Sequence, residues 1–366
     1  MSIHPDLLTL SYDYHLPAEL IASRPIEGER HNARLMIYDQ ASNEVTFDIF
    51  KNLDRYLPAK STLFFNQTKV FKARIFAQKI SGGQAEIFFL SPYPEQIVSQ
   101  IKSYRVMIKC RGKKSKGDQF IVQNEQNKFL LTIESLHSDG QFSITLNRDI
   151  DSEFFKKFGA IPIPPYIRKG HSDLLDEVSY QTTFAHDSFA DSVAAPTAGL
   201  HFSTDLLQQL KNKGHDLQFV KLNVGAGTFK NVETEWIYEH QMHEEEYLVS
   251  ASVYKAFENA SFKVAVGTTT LRALESLTKS KAPLDQLNRT NIFLHPGVEV
   301  HSIDALVTNF HLPKSSLIML VSALIGREKT LELYQLAVAS KMRFFSYGDG
   351  MLILRSQKFN KNINEI

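Results

Sequence analysis

A chain of 366 residues is long for one compact core, so two domains, or one domain carrying a sizeable insertion, are expected. Lysine and arginine together number 41 against 40 acidic residues, which excludes a global basic field for nucleic acid and leaves only a local patch. The 43% hydrophobic share is ample for burial, the single Cys110 precludes an intramolecular disulfide framework and a cysteine-rich zinc site, and the most apolar run, Leu317 to Ile325, is too short to cross a bilayer.

No basic-then-apolar leader precedes the first element, which predicts a soluble, cytoplasmic protein. The run Tyr12 to Ala22 starts a helix at Pro17, with Leu20 and Ile21 as its apolar face. Arg24, Arg30 and Arg34 follow, either a clamp for phosphate or carboxylate or a set of solvated and internally paired side chains. Leu35 to Tyr38 and Thr62 to Phe65 read as short apolar strands, the second leading into Asn66-Gln-Thr-Lys-Val-Phe-Lys-Ala-Arg74. From there to Asp149, alternating runs are broken by Gly82-Gly83, Pro92, Pro94, Gly112, Gly117 and Gly140. Strands are predicted over Ala85 to Leu90, Arg105 to Cys110, Gln119 to Val122, Phe129 to Glu134 and Gln141 to Leu146. Their spacing predicts a small β-barrel domain, residues 66–154, inserted into an α/β main domain made of 1–65 and 155–366. The basic loop Arg111-Gly-Lys-Lys-Ser-Lys116 is a solvated turn or a nucleic-acid contact.

Ile161-Pro-Ile-Pro-Pro-Tyr-Ile-Arg168 is a proline-stiffened extended connection, expected to act as a rigid hinge back to the first domain. Beyond it lies Asp191-Ser-Val-Ala-Ala-Pro-Thr-Ala-Gly-Leu-His-Phe202, too rich in small residues for a regular element. It is either a binding loop that brings Thr197 and His201 to a helix N-terminus or a loop that lets two elements pack. Strands then alternate with helices: Leu217 to Val224, the turn Gly225-Ala-Gly-Thr228, and Lys263 to Val266. Thr268 to Thr270 cap a helix through Leu271, Leu274 and Leu277, and Ala305 to Thr308 is another strand. The loop Asn309 to Ser315 leads into a helix through Leu317, Leu320 and Leu324, ended by Gly326. In an open α/β sheet such loops gather at the carboxyl ends of the strands and form one crevice. His240-Gln-Met-His-Glu-Glu-Glu-Tyr247 is either an acid–base cluster or an exposed acidic turn; it lacks the spacing of a zinc site, and no metal is expected. The aromatics of Arg343-Phe-Phe-Ser-Tyr-Gly-Asp-Gly350 read either as core or, ended by Gly348-Asp349, as a turn facing the site.

Several of these strings coincide with one family. Val193 to Phe202, Val224-Gly-Ala-Gly-Thr-Phe229, His240-x-Met-His-x-Glu-x-Tyr247, Ala265-Val-Gly-Thr-Thr269 with Arg272-Ala-Leu-Glu-Ser276, Thr308 to Ser315 and Arg343 to Asp349 resemble the S-adenosylmethionine:tRNA ribosyltransferase-isomerases of bacterial queuosine biosynthesis. The similarity runs from Tyr12 to Leu354. It implies an α/β main domain with a small β-barrel domain. It also implies transfer and isomerisation of the ribosyl group of S-adenosylmethionine onto 7-aminomethyl-7-deazaguanine at the tRNA wobble position, giving epoxyqueuosine with loss of adenine and methionine. The sulfonium acidifies the adjacent ribose methylene, so the cosubstrate carries the difficult chemistry while the protein orients groups and moves protons.

The roles that follow are expectations. His201, His243, Glu245 and His311 are the acid–base candidates, and Thr197, Gly199, Gly225, Gly227, Thr268, Thr269, Arg272 and Asn309 should hold the cosubstrate, with Asp349 facing the sulfonium or the amine. Lys69, Lys72, Arg74, Arg168 and Lys169 should position the tRNA. A monomer with no permanently bound cofactor is expected. The chain departs from the family where Asn-Asp-Thr-Arg becomes Asn66-Gln-Thr-Lys69 and where Lys72 replaces a proline; Ser203, Leu271, His295, Met342 and Gly350 also replace usual neighbours. Two other readings remain: a non-catalytic RNA-binding protein docking through its barrel, and a ribosyl transferase using S-adenosylmethionine on another acceptor.

Overall fold

The computed structural model describes residues 4–98, 100–225, 227 and 231–356. They form two compact units, one of residues up to 68, 182–185 and from 196 onward, the other of 69–181 and 186–195.

The first unit opens with short 3-10 turns, and Pro17 begins only a single turn, Ala18–Leu20, not the expected helix. The backbone there pairs instead with Phe344, whose N–H donates to the Leu20 carbonyl (2.8 Å) and whose carbonyl accepts from Ala22 (3.2 Å). Strands β1 (Arg34–Asp39), β2 (Glu44–Ile49) and β3 (Thr62–Asn66) follow. Every residue of β3 is buried, as the continuous apolar run of a central strand requires.

The second unit holds β4 (Arg74–Lys79), β5 (Gln84–Phe89), β6 (Gln96–Val98), β7 (Ile101–Cys110), β8 (Gln119–Gln123), β9 (Lys128–Leu136) and β10 (Phe142–Leu146). Neighbouring strands are antiparallel in the order β10-β9-β8-β4-β5-β7, and β10 also pairs with β7, which closes the barrel. Alternate residues point inward, so Ala85, Ile87 and Phe89 of β5 are buried between partly exposed neighbours. Helix α1 (Ser152–Phe158) starts where Asp151 accepts hydrogen bonds from the N–H groups of Glu153 and Phe154. It sends Phe154 and Phe155 against Phe89, with ring centres 6.2 and 5.1 Å away. β11 (Gly159–Ala160) then pairs with β4, and α2 (Leu174–Ser179) begins at a capping box made by Asp173 and Asp176. Whereas the expected insert ends at 154, this unit runs to 181 and resumes at 186–195. The reason is backbone pairing: Lys69 donates to the Phe189 carbonyl (2.9 Å) and Phe71 to that of Ser192 (3.1 Å). The proline-rich stretch 161–168 therefore lies within the second unit, and the chain first returns to the other at 182.

Back in the first unit come α3 (Thr204–Asn212), β12 (Asp216–Leu222), β13 (Glu245–Leu248), α4 (Ala251–Asn259), β14 (Lys263–Val266) and α5 (Thr268–Ser280). After them lie β15 (Asn288–Thr290), β16 (Ala305–Asn309), α6 (Ser316–Ile325), α7 (Arg327–Ala339) and β17 (Gly350–Leu354). Among the described residues these strands form one sheet in the order β15-β13-β12-β3-β14-β16-β17-β1-β2. The four central strands β12, β3, β14 and β16 are parallel, as crossovers through α3 and α5 dictate. Leu35, Leu63, Phe65, Val264, Val266, Val307 and Leu352 of one sheet face bury against Phe202, Leu206 and Leu210, which fixes α3 on that face. The protein is thus an α/β sheet unit with a closed β-barrel unit in the middle of its chain.

Candidate functional site

Because β3, β12, β14 and β16 run parallel, the residues that leave them, Asn66, Gly225, Gly267 and Asn309, emerge at one edge of the sheet. Two antiparallel neighbours bring more chemistry to that edge. The register Leu222↔Tyr247 carries Glu245 of β13 there, and Asn309↔Gly350 places Asp349 just before β17.

Asn66 ends the apolar β3 with an amide that fastens three elements. Its Oδ1 accepts from the N–H groups of Leu222 (3.0 Å) and Thr68 (3.2 Å). Its Nδ2 donates to the Leu222 carbonyl (2.8 Å) and lies 3.4 Å from Thr269 Oγ1. Gly267, at φ +93, makes the sharp entry to α5, so Thr268, Thr269 and Thr270 form its first turn and are not a cap before it. Thr197 donates its hydroxyl to Asn309 Oδ1 (2.9 Å), tying the small-residue loop to the end of β16.

Glu245 and Arg272 form a buried ion pair, 5% and 3% exposed, through Glu245 Oε2 and Arg272 Nη1. Glu245 Oε1 accepts from the Gly225 N–H (3.0 Å), and Arg272 Nε donates to the Ile292 carbonyl (3.2 Å). Among the described residues, two buried donors at this edge have no acceptor, Arg272 Nη2 and Asn309 Nδ2. Leaving such groups unpaired costs about 1–3 kcal/mol each, so the edge is built to receive acceptor atoms.

The histidines that the sequence treats alike differ sharply. His201 is 4% exposed and stacks on Phe50 at 4.5 Å, with Nε2 2.9 Å from the Gly348 carbonyl and Nδ1 3.2 Å from that of Ala198. Burial holds its pKa below the ordinary histidine value, partly offset by those carbonyls. It joins the 197–201 turn to the 343–349 turn and does not face solvent. His311 is 7% exposed, its Nε2 2.9 Å from Thr308 Oγ1, and burial pushes its pKa down to about 3. His243 is exposed and packs on Gly227 so closely that a Cβ there would fall 1.9 Å from its Cδ2. Ala226 and Thr228 of the same turn lie outside the described residues.

The buried His311 gives a pH prediction. Its folded pKa lies below the ordinary 6.5, so the unfolded chain takes up the proton first as pH falls. Its effect on stability is absent above pH 6.5, grows by about 1.4 kcal/mol of lost stability per pH unit down to about pH 3, and is constant below. Thermal unfolding between about pH 6.5 and 4 should therefore weaken more steeply for the native chain than for His311→Asn. Equal slopes would show that His311 is not held neutral.

Three of the expected site residues are engaged within the protein. Asp349 is fully buried and its oxygens accept the N–H groups of Arg34 (3.0 Å) and Arg343 (2.8 Å). Gly199 is a packing glycine, since a Cβ there would come 2.8 Å from Phe184 Cζ. Arg74, 8% exposed, lies on the outward face of β4, where Glu86 (3.1 Å) and the carbonyls of Ile163 and Gly170 take up its guanidinium. Of the other cations expected to meet tRNA, Lys69 pairs with Asp187, Lys72 with Glu177 (2.5 Å) and Arg168 with Asp176, while Lys169 is exposed. Sequence reasoning missed Asn66 as a site-building residue, although a polar amide closing a buried strand is a signal it could have used. Among the described residues no cluster of His, Cys, Asp and Glu is placed to hold a metal ion, and no helix is long and apolar enough to cross a membrane.

The chain is similar to known proteins over nearly all its length. The profile of a family described as queuosine biosynthesis protein matches residues 9–353. An S-adenosylmethionine:tRNA ribosyltransferase-isomerase of Campylobacter jejuni subsp. jejuni serotype O:2 is 42% identical, over 96% of this chain and 100% of the relative. Its counterpart in Caldanaerobacter subterraneus subsp. tengcongensis is 38% identical over 93% and 98%. Among solved structures, an S-adenosylmethionine tRNA ribosyltransferase from Thermotoga maritima superimposes with a TM-score of 0.51 at 29% identity, covering 94% of this chain and 100% of that one.

Proposed function

Since the chain belongs to the queuosine biosynthesis protein family, we propose that it transfers and isomerises the ribosyl moiety of S-adenosylmethionine onto 7-aminomethyl-7-deazaguanine at the tRNA wobble position, giving epoxyqueuosine-tRNA, adenine and methionine. The observation that carries this reading is the pair of unsatisfied buried donors, Arg272 Nη2 and Asn309 Nδ2, at an edge where the loops of four parallel strands meet. A nucleoside bearing a carboxylate and ribose hydroxyls offers the acceptors they need. The N–H groups that open α5 at Thr268 and Thr269 add a further anion-binding feature for the methionyl carboxylate. Gly227 leaves the room that the His243 ring occupies, and Thr197 fixes the side chain of Asn309 so that its amide nitrogen remains available.

S-adenosylmethionine supplies the acidified ribose methylene and the leaving groups; the protein's task is orientation and proton transfer. In this reading His243, exposed beside Gly227, takes or gives the proton; its exposure supports the role. Glu245 holds Gly225 and Arg272 in position. His201 and His311 serve as neutral rings that position the loops, because their burial disfavours the imidazolium. For tRNA, phosphates would meet Lys169 directly and compete with Asp187, Glu177 and Asp176 for Lys69, Lys72 and Arg168. The deciding measurement is adenine release from S-adenosylmethionine with and without tRNA carrying the deazaguanine precursor. Release that depends on that tRNA is expected; no release, or release indifferent to the tRNA, rejects the reading.

A further inference from the structure

Beyond β15 the chain continues as Asn291-Ile-Phe-Leu-His295, and it is fastened beside the ion pair at both ends of its first turn. Thr290 stands opposite Glu245 in the β13–β15 register, and the Ile292 carbonyl accepts from Arg272 Nε (3.2 Å). Phe293 comes next. Its ring centre lies 5.4 Å from that of His240, at an interplanar angle of 71°, and 4.9 Å from that of His295, at 58°. His240 belongs to the same loop as His243, the ring packed on Gly227. All three rings of the cluster are half-buried, unlike Phe310 and Phe344 of the same unit, which are fully covered. The cluster therefore adjoins the edge where Arg272 Nη2 has no acceptor.

The chemistry of these rings is specific. His295 Nδ1 lies 2.8 Å from the Pro296 carbonyl, so the proton resides on that nitrogen and Nε2 keeps its lone pair. Burial lowers the pKa of both His240 and His295, the first helped by the charge of nearby His243, so both rings are neutral near pH 7. Flat, uncharged rings with one acceptor nitrogen match neither a carboxylate nor a phosphate. They match a heteroaromatic base, which stacks by its face and donates through a ring or exocyclic N–H.

We propose that Phe293, flanked by His240 and His295, is the seat of a purine-type base, held by stacking and by an N–H donated to His295 Nε2. This rests on the functional reading above, which supplies two such bases: the adenine of S-adenosylmethionine and the 7-deazaguanine of the tRNA. The test uses the full chain with Phe293→Ala, Phe293→Trp and His295→Ala. S-adenosylmethionine binding is measured by calorimetry, and binding of tRNA carrying the precursor by filter retention. Phe293→Ala should raise the Kd of one ligand about tenfold or more and leave the other within about threefold, while Phe293→Trp, which keeps a flat face, stays near the native value. The arm that moves identifies the base. If neither arm moves beyond about threefold, or both weaken together with a lowered melting temperature, the seat is refuted. Should Phe293→Ala not fold, His295→Ala decides: a selective loss in one arm supports the proposal and no loss overturns it. Adenine release by the native chain is the separate control, since its absence removes the functional reading itself, whereas release with unaltered Phe293→Ala binding removes the base seat alone.

Discussion

Replacing Glu245 by alanine is expected to destabilise the first unit by about 3–5 kcal/mol, the usual cost of leaving one partner of a buried ion pair uncompensated. Both side chains are within a few per cent of complete burial, so water does not replace the missing carboxylate at Arg272. The Gly225 N–H loses its acceptor in the same step. Denaturant unfolding followed by circular dichroism measures the loss. The double variant Glu245→Leu with Arg272→Met should regain most of the stability, because removing both charges also removes the desolvation cost. It should not regain adenine release, since the orphaned Arg272 donor and the anchored glycine turn are both gone. If Glu245→Ala unfolds within about 1 kcal/mol of the native chain, the pair is solvated and the site edge is looser than its geometry requires.

The barrel was legible because its strands alternate with period two and are cut by glycines and prolines, a local signal that needs no knowledge of the rest of the chain. The loops of the site were legible for a similar reason, since Gly225, Gly267 and the small residues around Ala198 mark turns in any context. Burial was not. His201, His243 and His311 look equivalent in sequence, yet Phe50, more than a hundred residues upstream, covers the first, and Thr308 and Tyr334 enclose the last. The setting of Asp349 was not legible either, because the partners of its carboxylate are backbone N–H groups of Arg34 and Arg343, which no side-chain pattern reports. Arg74 stands where a basic stretch suggests phosphate, but it lies on the outward face of β4 with Phe76 and Gln78, where Glu86 and the carbonyls of Ile163 and Gly170, far away in sequence, cover it. The short antiparallel strands β13 and β15 escaped notice because three or four residues are too few for a periodic signal, and with them went the placement of Glu245 beside Arg272.

Alanine at His243 should cut turnover by about 10²–10⁴-fold while the melting temperature stays within about 1 °C of the native value, because an acid or base placed on the reacting proton contributes that much and an exposed ring contributes little to the fold. The contrast with His201 makes the test discriminating. His201→Ala removes a ring stacked on Phe50 and two contacts to backbone carbonyls, so its effect should appear first as lost stability and only then as lost activity. His243 is different in kind: its neighbour Gly227 has no side chain, and the imidazole occupies the space a Cβ would need. Native-like turnover in His243→Ala would move the proton transfer to another group and leave His243 as a packing partner of the glycine turn.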